Sequence, residues 1–197
     1  RILMNPDEHW MRRALRLAGK GRGRTSPNPC VGAVIVKGEA LLGEGWHRRA
    51  GGPHAEVAAL ADAAARGNRV RGATIHVTLE PCSTTGKTPP CTKAIIESGL
   101  RRVVIGAIDP NPEHVGRALQ ILGQSGIKTV SGVLADRCTA LNEAFNHWIV
   151  NKTPFVVAKA AMTLDGKIAT ARGESKWITG PEAGRQAMRL RFAADAI

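Results

Sequence analysis

The sequence predicts a three-layer α/β/α domain on a mixed sheet, followed by the first part of a second α/β domain. Two observations carry this. From residue 5 to residue 130, β-branched runs alternate with segments of helical spacing, the order that produces parallel strand pairs with helices on both faces of the sheet. At Asn151-Lys152-Thr153-Pro154 the pattern breaks and a new apolar run begins, which sets the domains at 1–151 and 152–197. The second stretch is too short for an α/β core of its own, so it is expected to be only the beginning of its domain.

Asn5-Pro6-Asp7-Glu8 is a helix start, with a capping side chain, proline at the first helical position and acids at the positive end of the dipole. That helix runs to about Ala18, and a loop rich in glycine, arginine and proline follows to Pro29. Cys30 to Val36 and Ala40 to Trp46 form a strand pair around the turn Lys37-Gly38-Glu39. Gly51-Gly52-Pro53 then breaks the chain ahead of a helix from His54 to about Ala65. Ala73 to Leu79 is a third strand, Cys91 to Ser98 a helix, and Val103 to Ile108 a strand. Val115 to Leu122 is helical and Ile127 to Val130 is a short strand. Ala135 to about Val150 reads as one long helix, with Leu141, Ala144, Phe145 and Trp148 as its core stripe. Past the boundary come a strand from Phe155 to Ala160, a glycine-containing loop and a helix opening near Pro181.

With 43% hydrophobic residues, no membrane-length apolar run and no signal-peptide pattern, the chain is expected to be globular and cytoplasmic. Four cysteines make no disulfide framework, which agrees with a reducing compartment. Lys plus Arg number 28 against 16 Asp plus Glu, a formal charge of +12. Such charge attracts phosphate, or it is simply a solvated surface. It comes in small clusters: Arg12 to Arg24, Arg48-Arg49, Arg66 to Arg71 and Arg101-Arg102. Single-strand binders add aromatic stacking platforms, yet aromatics are 4% of this chain and tyrosine is absent, so nucleic acid is disfavoured as a partner.

The chemistry concentrates in His54-Ala55-Glu56, Pro81-Cys82 and Cys91. One imidazole and two thiols are the donors that suit one Zn²⁺ per chain, and three protein ligands leave the fourth tetrahedral position for water. Glu56, two residues past His54 in the first turn of a helix, is the candidate general acid-base. A closed structural zinc would instead need a fourth protein ligand, for which Cys30, His47 and His76 are available. Cys30 opens an apolar run and Cys138 falls on a helix, so both read as small buried hydrophobes. Glu80-Pro81-Cys82 and Asp109-Pro110-Asn111-Pro112 both follow strands, where ligand sites of such sheets lie, and are expected to face one pocket.

Read in order, Pro27-Asn28-Pro29-Cys30-Val31-Gly32, His47, Gly51 to Glu56, Thr78 to Cys82, Gly86 to Cys91 and Asp109 to Pro112 resemble the deaminase portion of the bifunctional riboflavin-biosynthesis deaminase-reductase family. Leu164 to Ala169 and Gly173 to Thr179 resemble the start of its reductase domain. The resemblance implies a cytidine deaminase-like fold of CMP/dCMP type over 1–151. It implies hydrolysis of the 2-amino group of 2,5-diamino-6-(5-phosphoribosylamino)pyrimidin-4(3H)-one, giving 5-amino-6-(5-phosphoribosylamino)uracil and ammonia. Asn28 would bond the base, while His47, Lys87 and Asn111 would contact the substrate and its phosphate. The chain departs from the family pattern at Thr84, where a histidine is common, and at His114 and Ala118, in a stretch that usually carries a valine and two spaced glycines.

For 152–197 the resemblance implies part of an NADPH-dependent reductase, with Lys159, Asp165, Ser175, Trp177 and Arg191 as parts of its site and no reductase activity from these residues alone. The implied partner is a small phosphorylated pyrimidine, with no nucleic acid and no membrane; the oligomeric state stays open, a homo-oligomer included. A tRNA-editing deaminase is the main competitor, but that family typically places two residues between its cysteines, whereas eight separate Cys82 from Cys91. A nucleoside or nucleobase deaminase shares the zinc chemistry and leaves the reductase-like tail unexplained. A catalytically silent binding module does not account for the ligands and Glu56 together.

Overall fold

The computed structural model describes residues 5–84 and 89–197, and the chain divides into one unit ending at Thr153 and another spanning Pro154–Ile197. In the first unit the elements run α1 (Pro6–Gly19), β1 (Gly32–Lys37), β2 (Ala40–Trp46), α2 (Ala55–Ala65), β3 (Thr74–Leu79), α3 (Cys91–Glu97), β4 (Arg102–Ala107), α4 (Arg117–Gln124), β5 (Lys128–Val130), α5 (Ala135–Leu141) and α6 (Glu143–Asn151). The strands form one sheet in the order β2-β1-β3-β4-β5. β1 is antiparallel to both β2 and β3, while β3-β4 and β4-β5 are parallel. The expected mixed sheet is the one observed.

Alternation along the strands makes the three layers. Ala33, Ile35, Ile75, Val77, Val103 and Ile105 bury against Ala55 and Ala59 of α2, Ile95 of α3 and Leu122 of α4. Val34, Val36 and Val104 point to the other face and meet Met11, Ala14 and Leu17 of α1 and Cys138 of α5. The two helices nearest the sheet approach through glycine. A Cβ on Gly32 would run into the Ala14 carbonyl of α1. On β2, a Cβ at Gly43 would lie 2.5 Å from the Ala59 oxygen, and one at Gly45 2.5 Å from the Ala59 nitrogen. With Ala59 and Ala63 facing these glycines, α2 therefore rests almost directly on the β2 backbone.

Three expectations are corrected. The long helix from Ala135 to Val150 is broken into α5 and α6 at Asn142, where φ is −117° and ψ is 28°. The cause is distant: Asn142 turns inward, its Oδ1 accepting the Cys30 N–H at 2.7 Å and its Nδ2 donating to the Cys30 carbonyl at 3.0 Å. That amide replaces a strand neighbour for Cys30, so β1 begins only at Gly32. The stripe expected to be core is so only in part: Phe145 packs against the core, while Trp148 is 45% exposed and α6 has no fully buried residue. In the second unit, residues 155–160 join no ladder among the described residues, because a strand needs a neighbour to bond and this unit supplies none. The unit's helix is α7 (Pro181–Ala193), opening on the expected proline.

Asp7 ties α1 to the sheet. It takes Arg102 Nη1 at 2.7 Å and Nη2 at 2.6 Å, with His76 Nε2 at 3.1 Å. The Arg102 guanidinium, chiefly, holds its carboxyl down at about 2. A carboxylate depressed in the folded state stabilises above its unfolded pKa, and that stability is lost as pH falls through the folded value. Asp7→Asn is expected to cost at most about 2 kcal/mol at neutral pH and to flatten the loss of stability between about pH 4 and pH 2, as read by urea denaturation across that range. Gly45→Ala is expected to cost about 1–3 kcal/mol by overpacking and, by lifting α2, to weaken zinc binding as well, measured by urea midpoint and by competition with a chelator.

Candidate active site

Three chain segments converge beyond the end of β3. His54 is the residue that caps α2, with φ of −69° and ψ of 161°, and Glu56 lies in that helix's first turn. Cys82 follows β3 by three residues, and Cys91 is the first residue of α3. His54 Nδ1 lies 3.5 Å from Cys82 Sγ and 3.3 Å from Cys91 Sγ. Tetrahedral zinc bonds to nitrogen and sulfur imply a ligand-to-ligand edge of about 3.5 Å, so these donors already stand at the spacing zinc requires. The start of α3 is fixed on Cys82: the Cys91 N–H donates to Cys82 Sγ at 3.2 Å and the Thr92 N–H to the Cys82 carbonyl at 3.2 Å.

Charge is crowded here. Cys82 is held down at about 4, first by the Cys91 thiol, against the opposing effect of burial, and then by His54 and the Cys91 N–H. Cys91, which shares its proton with Cys82 and is buried, is pushed up instead. His54 is raised by the Cys82 sulfur beside it. Burial pushes Glu56, which is 3% exposed, up to about 7; its own N–H opposes this and the Cys82 charge adds to it. Donor chemistry and spacing both fit zinc.

None of the three alternative fourth ligands joins the triangle. His47 Nδ1 donates to the Pro53 carbonyl at 2.9 Å, which leaves Nε2 to accept from Asn28 Nδ2 at 3.1 Å. His76 Nε2 bonds Asp7, and Cys30 Sγ lies 3.4 Å from Thr25 Oγ1. Among the described residues the metal-competent cluster is His54, Cys82 and Cys91. The site keeps an open side, as a catalytic zinc site does.

That side faces a cleft of about 200 Å³. Asn28, His47 and Asn111 line it, and the loops after β3 and β4 share it as expected. His47 is also depressed by burial, so it sits in the wall as a neutral ring of fixed tautomer. Asn111 serves turn geometry as well: its N–H donates to Asp109 Oδ1 at 2.9 Å and its Oδ1 accepts the Glu113 N–H at 3.1 Å. Thr84 Oγ1 stands 3.5 Å from His114 Nε2. Lys87 lies outside the described residues.

Glu80 and Asp109, from the two loops expected to face one pocket, also line the cleft with His114 and Phe145, although none of the four was assigned a role in the site from sequence. The signal for the first three was position, since all follow the carboxyl ends of β3 or β4. Glu80 is the strut of this wall: Oε2 accepts the Gly116 N–H at 3.0 Å and the Asp109 N–H at 3.3 Å, and Oε1 the Ala118 N–H at 3.0 Å. Phe145, read from sequence as core, packs against the α1 side of the core and also lines the cleft. In the second unit Lys159, Asp165, Ser175, Trp177 and Arg191 are all exposed, and no hydrogen bond or ion pair joins any two of them among the described residues.

The family model for the cytidine and deoxycytidylate deaminase zinc-binding region matches residues 4–107, and that for the RibD C-terminal domain matches residues 154–197. Riboflavin biosynthesis protein RibD of Synechocystis sp. is 47% identical over 194 residues, covering 98% of this chain and 52% of that protein. RibD of Escherichia coli is 48% identical over 191 residues, covering 97% and 51%. A crystal structure of a diaminohydroxyphosphoribosylaminopyrimidine deaminase/5-amino-6-(5-phosphoribosylamino)uracil reductase from Thermotoga maritima superposes with a TM-score of 0.89 at 49% identity, covering 94% of this chain and 52% of that one. The chain thus spans about half the length of the curated relatives it matches. No helix among the described residues is long and apolar enough to cross a membrane. With the zinc-binding region matched over its first 107 residues and a RibD C-terminal segment after it, the chain belongs to the cytidine and deoxycytidylate deaminase zinc-binding family.

Proposed function

We propose that this chain carries out the deamination step of riboflavin biosynthesis, hydrolysing the 2-amino group of 2,5-diamino-6-(5-phosphoribosylamino)pyrimidin-4(3H)-one to give the corresponding uracil and ammonia. The observation that carries the reading is the His54, Cys82, Cys91 triangle with buried Glu56 beside it, in a chain whose relatives over nearly its full length are RibD proteins. His54 Nδ1, Cys82 Sγ and Cys91 Sγ would hold one zinc ion. Bound there, zinc supplies a Lewis acid and draws a nucleophile from water near neutral pH.

The remaining work belongs to side chains. Glu56 takes a proton from the attacking water and passes it to the ring nitrogen next to the carbon under attack; it then takes the remaining proton of the newly added hydroxyl and gives it to the amine, which departs as ammonia while the C–O bond becomes a carbonyl. The overall change is water in and ammonia out, with C–N replaced by C–O. Its burial suits this role, because a carboxyl poised near neutrality both accepts and releases protons. Asn28 and His47, bonded to one another, orient the base; Thr84, Lys87 and Asn111 contact the phosphoribosyl end. The same reading makes the partner a small phosphorylated pyrimidine rather than nucleic acid, in the cytoplasm. Lys159, Asp165, Ser175, Trp177 and Arg191 are read as contributions to an NADPH-dependent reductase site.

Three outcomes are expected. Purified protein contains one zinc per chain by plasma emission, and Cys91→Ser loses most of it. Glu56→Gln keeps its zinc while ammonia release falls by about 10²–10⁴-fold or more. Of the phosphorylated diaminopyrimidine, its dephosphorylated form, cytidine and an RNA anticodon hairpin, only the first is turned over efficiently. Turnover of the hairpin or of cytidine instead would replace the substrate while keeping the chemistry, and zinc-free protein with full activity would sink the mechanism.

A further inference from the structure

One buried amide joins two walls of the cleft. Asn142, 5% exposed, stands between α5 and α6 and grips Cys30, 112 residues earlier in the chain. Its main chain is committed to the helices: the N–H donates to the Thr139 carbonyl at 3.0 Å, ending α5, and the carbonyl accepts the Asn146 N–H at 2.8 Å in the first turn of α6. Its side chain is committed to Cys30, with Oδ1 accepting the N–H at 2.7 Å and Nδ2 donating to the carbonyl at 3.0 Å. Cys30 is buried and lies ahead of β1, so without this amide both of its backbone groups would lose the partners that buried peptide groups require.

Cys30 sits in the middle of one wall. Asn28 and Pro29 precede it, Val31 follows it, and all three line the cleft. The Val31 carbonyl accepts the His47 N–H at 2.9 Å, and the His47 ring accepts from Asn28 Nδ2 at 3.1 Å. A grip on Cys30 therefore reaches both members of the Asn28–His47 pair through one or two residues of backbone. On the other side of the clamp, Phe145 and Ile149 lie one turn apart on α6 and line the same cleft. Neither segment belongs to the sheet: residues 28–31 precede β1, and α6 carries no fully buried residue. A paired hydrogen bond at 2.7 and 3.0 Å supplies the directional constraint that apolar contact lacks.

We propose that Asn142 is a positioning residue of this cleft, holding Asn28 and His47 and the α6 wall in the one arrangement that presents the pyrimidine ring to the zinc triangle. This rests on the deaminase reading above. The test uses the full zinc-loaded chain. Asn142→Asp keeps the shape and the acceptor for the Cys30 N–H but sets an oxygen against the Cys30 carbonyl. It is expected to lower kcat/KM for ammonia release from the phosphorylated diaminopyrimidine about 10-fold per zinc-loaded chain, with zinc content intact. In an Asn28→Ala background the same substitution is expected to cost about 2-fold or less, because the group it positions is gone. A merely structural role would lower the urea midpoint while leaving the turnover of folded, zinc-loaded chains unchanged, or would cost the same in both backgrounds; either result overturns the proposal. Asn142→Ser repeats the cycle should the added charge unfold the chain, and if neither variant folds, the residue is structural and the proposal falls. A second arm needs no turnover: in nitrogen NMR of the histidine rings, Asn142→Asp is expected to shift the His47 Nε2 resonance as its bond from Asn28 is lost, and an unmoved resonance also overturns the proposal. A wild type that releases no ammonia, with His47 still responding to Asn142→Asp, would instead reject the substrate reading and keep the clamp.

Discussion

The close approach of α2 to β2 is the constraint on which the site depends. Gly43 and Gly45 leave no side chain between the strand and the alanine face of the helix, so the depth of α2 is set by backbone contact rather than by interlocking side chains. A helix seated on backbone has little room to shift, and its first turn inherits that precision. His54 and Glu56 are carried on that turn, while Cys82 and Cys91 come from the end of β3 and the start of α3 and are joined to one another by the Cys91 N–H. Ligands from separate elements thus meet at metal-binding distances because α2 is seated on β2 while the start of α3 is tied to the residues that follow β3.

Electrostatics at this point favour a divalent cation. Two thiols and a carboxyl compete for negative charge in a buried space with one imidazole beside them. The protein alone settles the conflict by ionising Cys82, leaving the proton on Cys91 and raising Glu56. Two positive charges placed within the triangle would let both sulfurs ionise and draw Glu56 back toward its carboxylate, releasing protons as the metal enters. The same crowding that disfavours simultaneous ionisation in its absence is what such a cation relieves.

The parts of this arrangement that were legible in the sequence are the local ones. Strands and helices of the first unit follow from period and from caps such as Asn5-Pro6, and the ligands are recognisable because each sits at the boundary of an element. What was hidden depends on distant partners. Nothing near Asn142 announces a helix break; the reason lies with Cys30, whose backbone amide and carbonyl it completes. Nothing near His114 reveals that it stands opposite Thr84, thirty residues earlier. The apolar run at 155–160 has the pattern of a strand and no neighbour to make it one.

Two carboxylates reach the cleft almost equally buried, Glu56 at 3% and Glu80 at 4% exposure, and hydrogen bonding separates their roles. Both oxygens of Glu80 are occupied by backbone N–H groups of Asp109, Gly116 and Ala118, so it holds the loop that carries Asn111 and His114. Glu56 has its own N–H and the Cys91 thiol for company, with desolvation as the dominant influence, so its two protonation states lie close in energy. A group that must take a proton in one step and give it up in the next needs that balance, which is the physical reason for assigning proton transfer to Glu56 and architecture to Glu80.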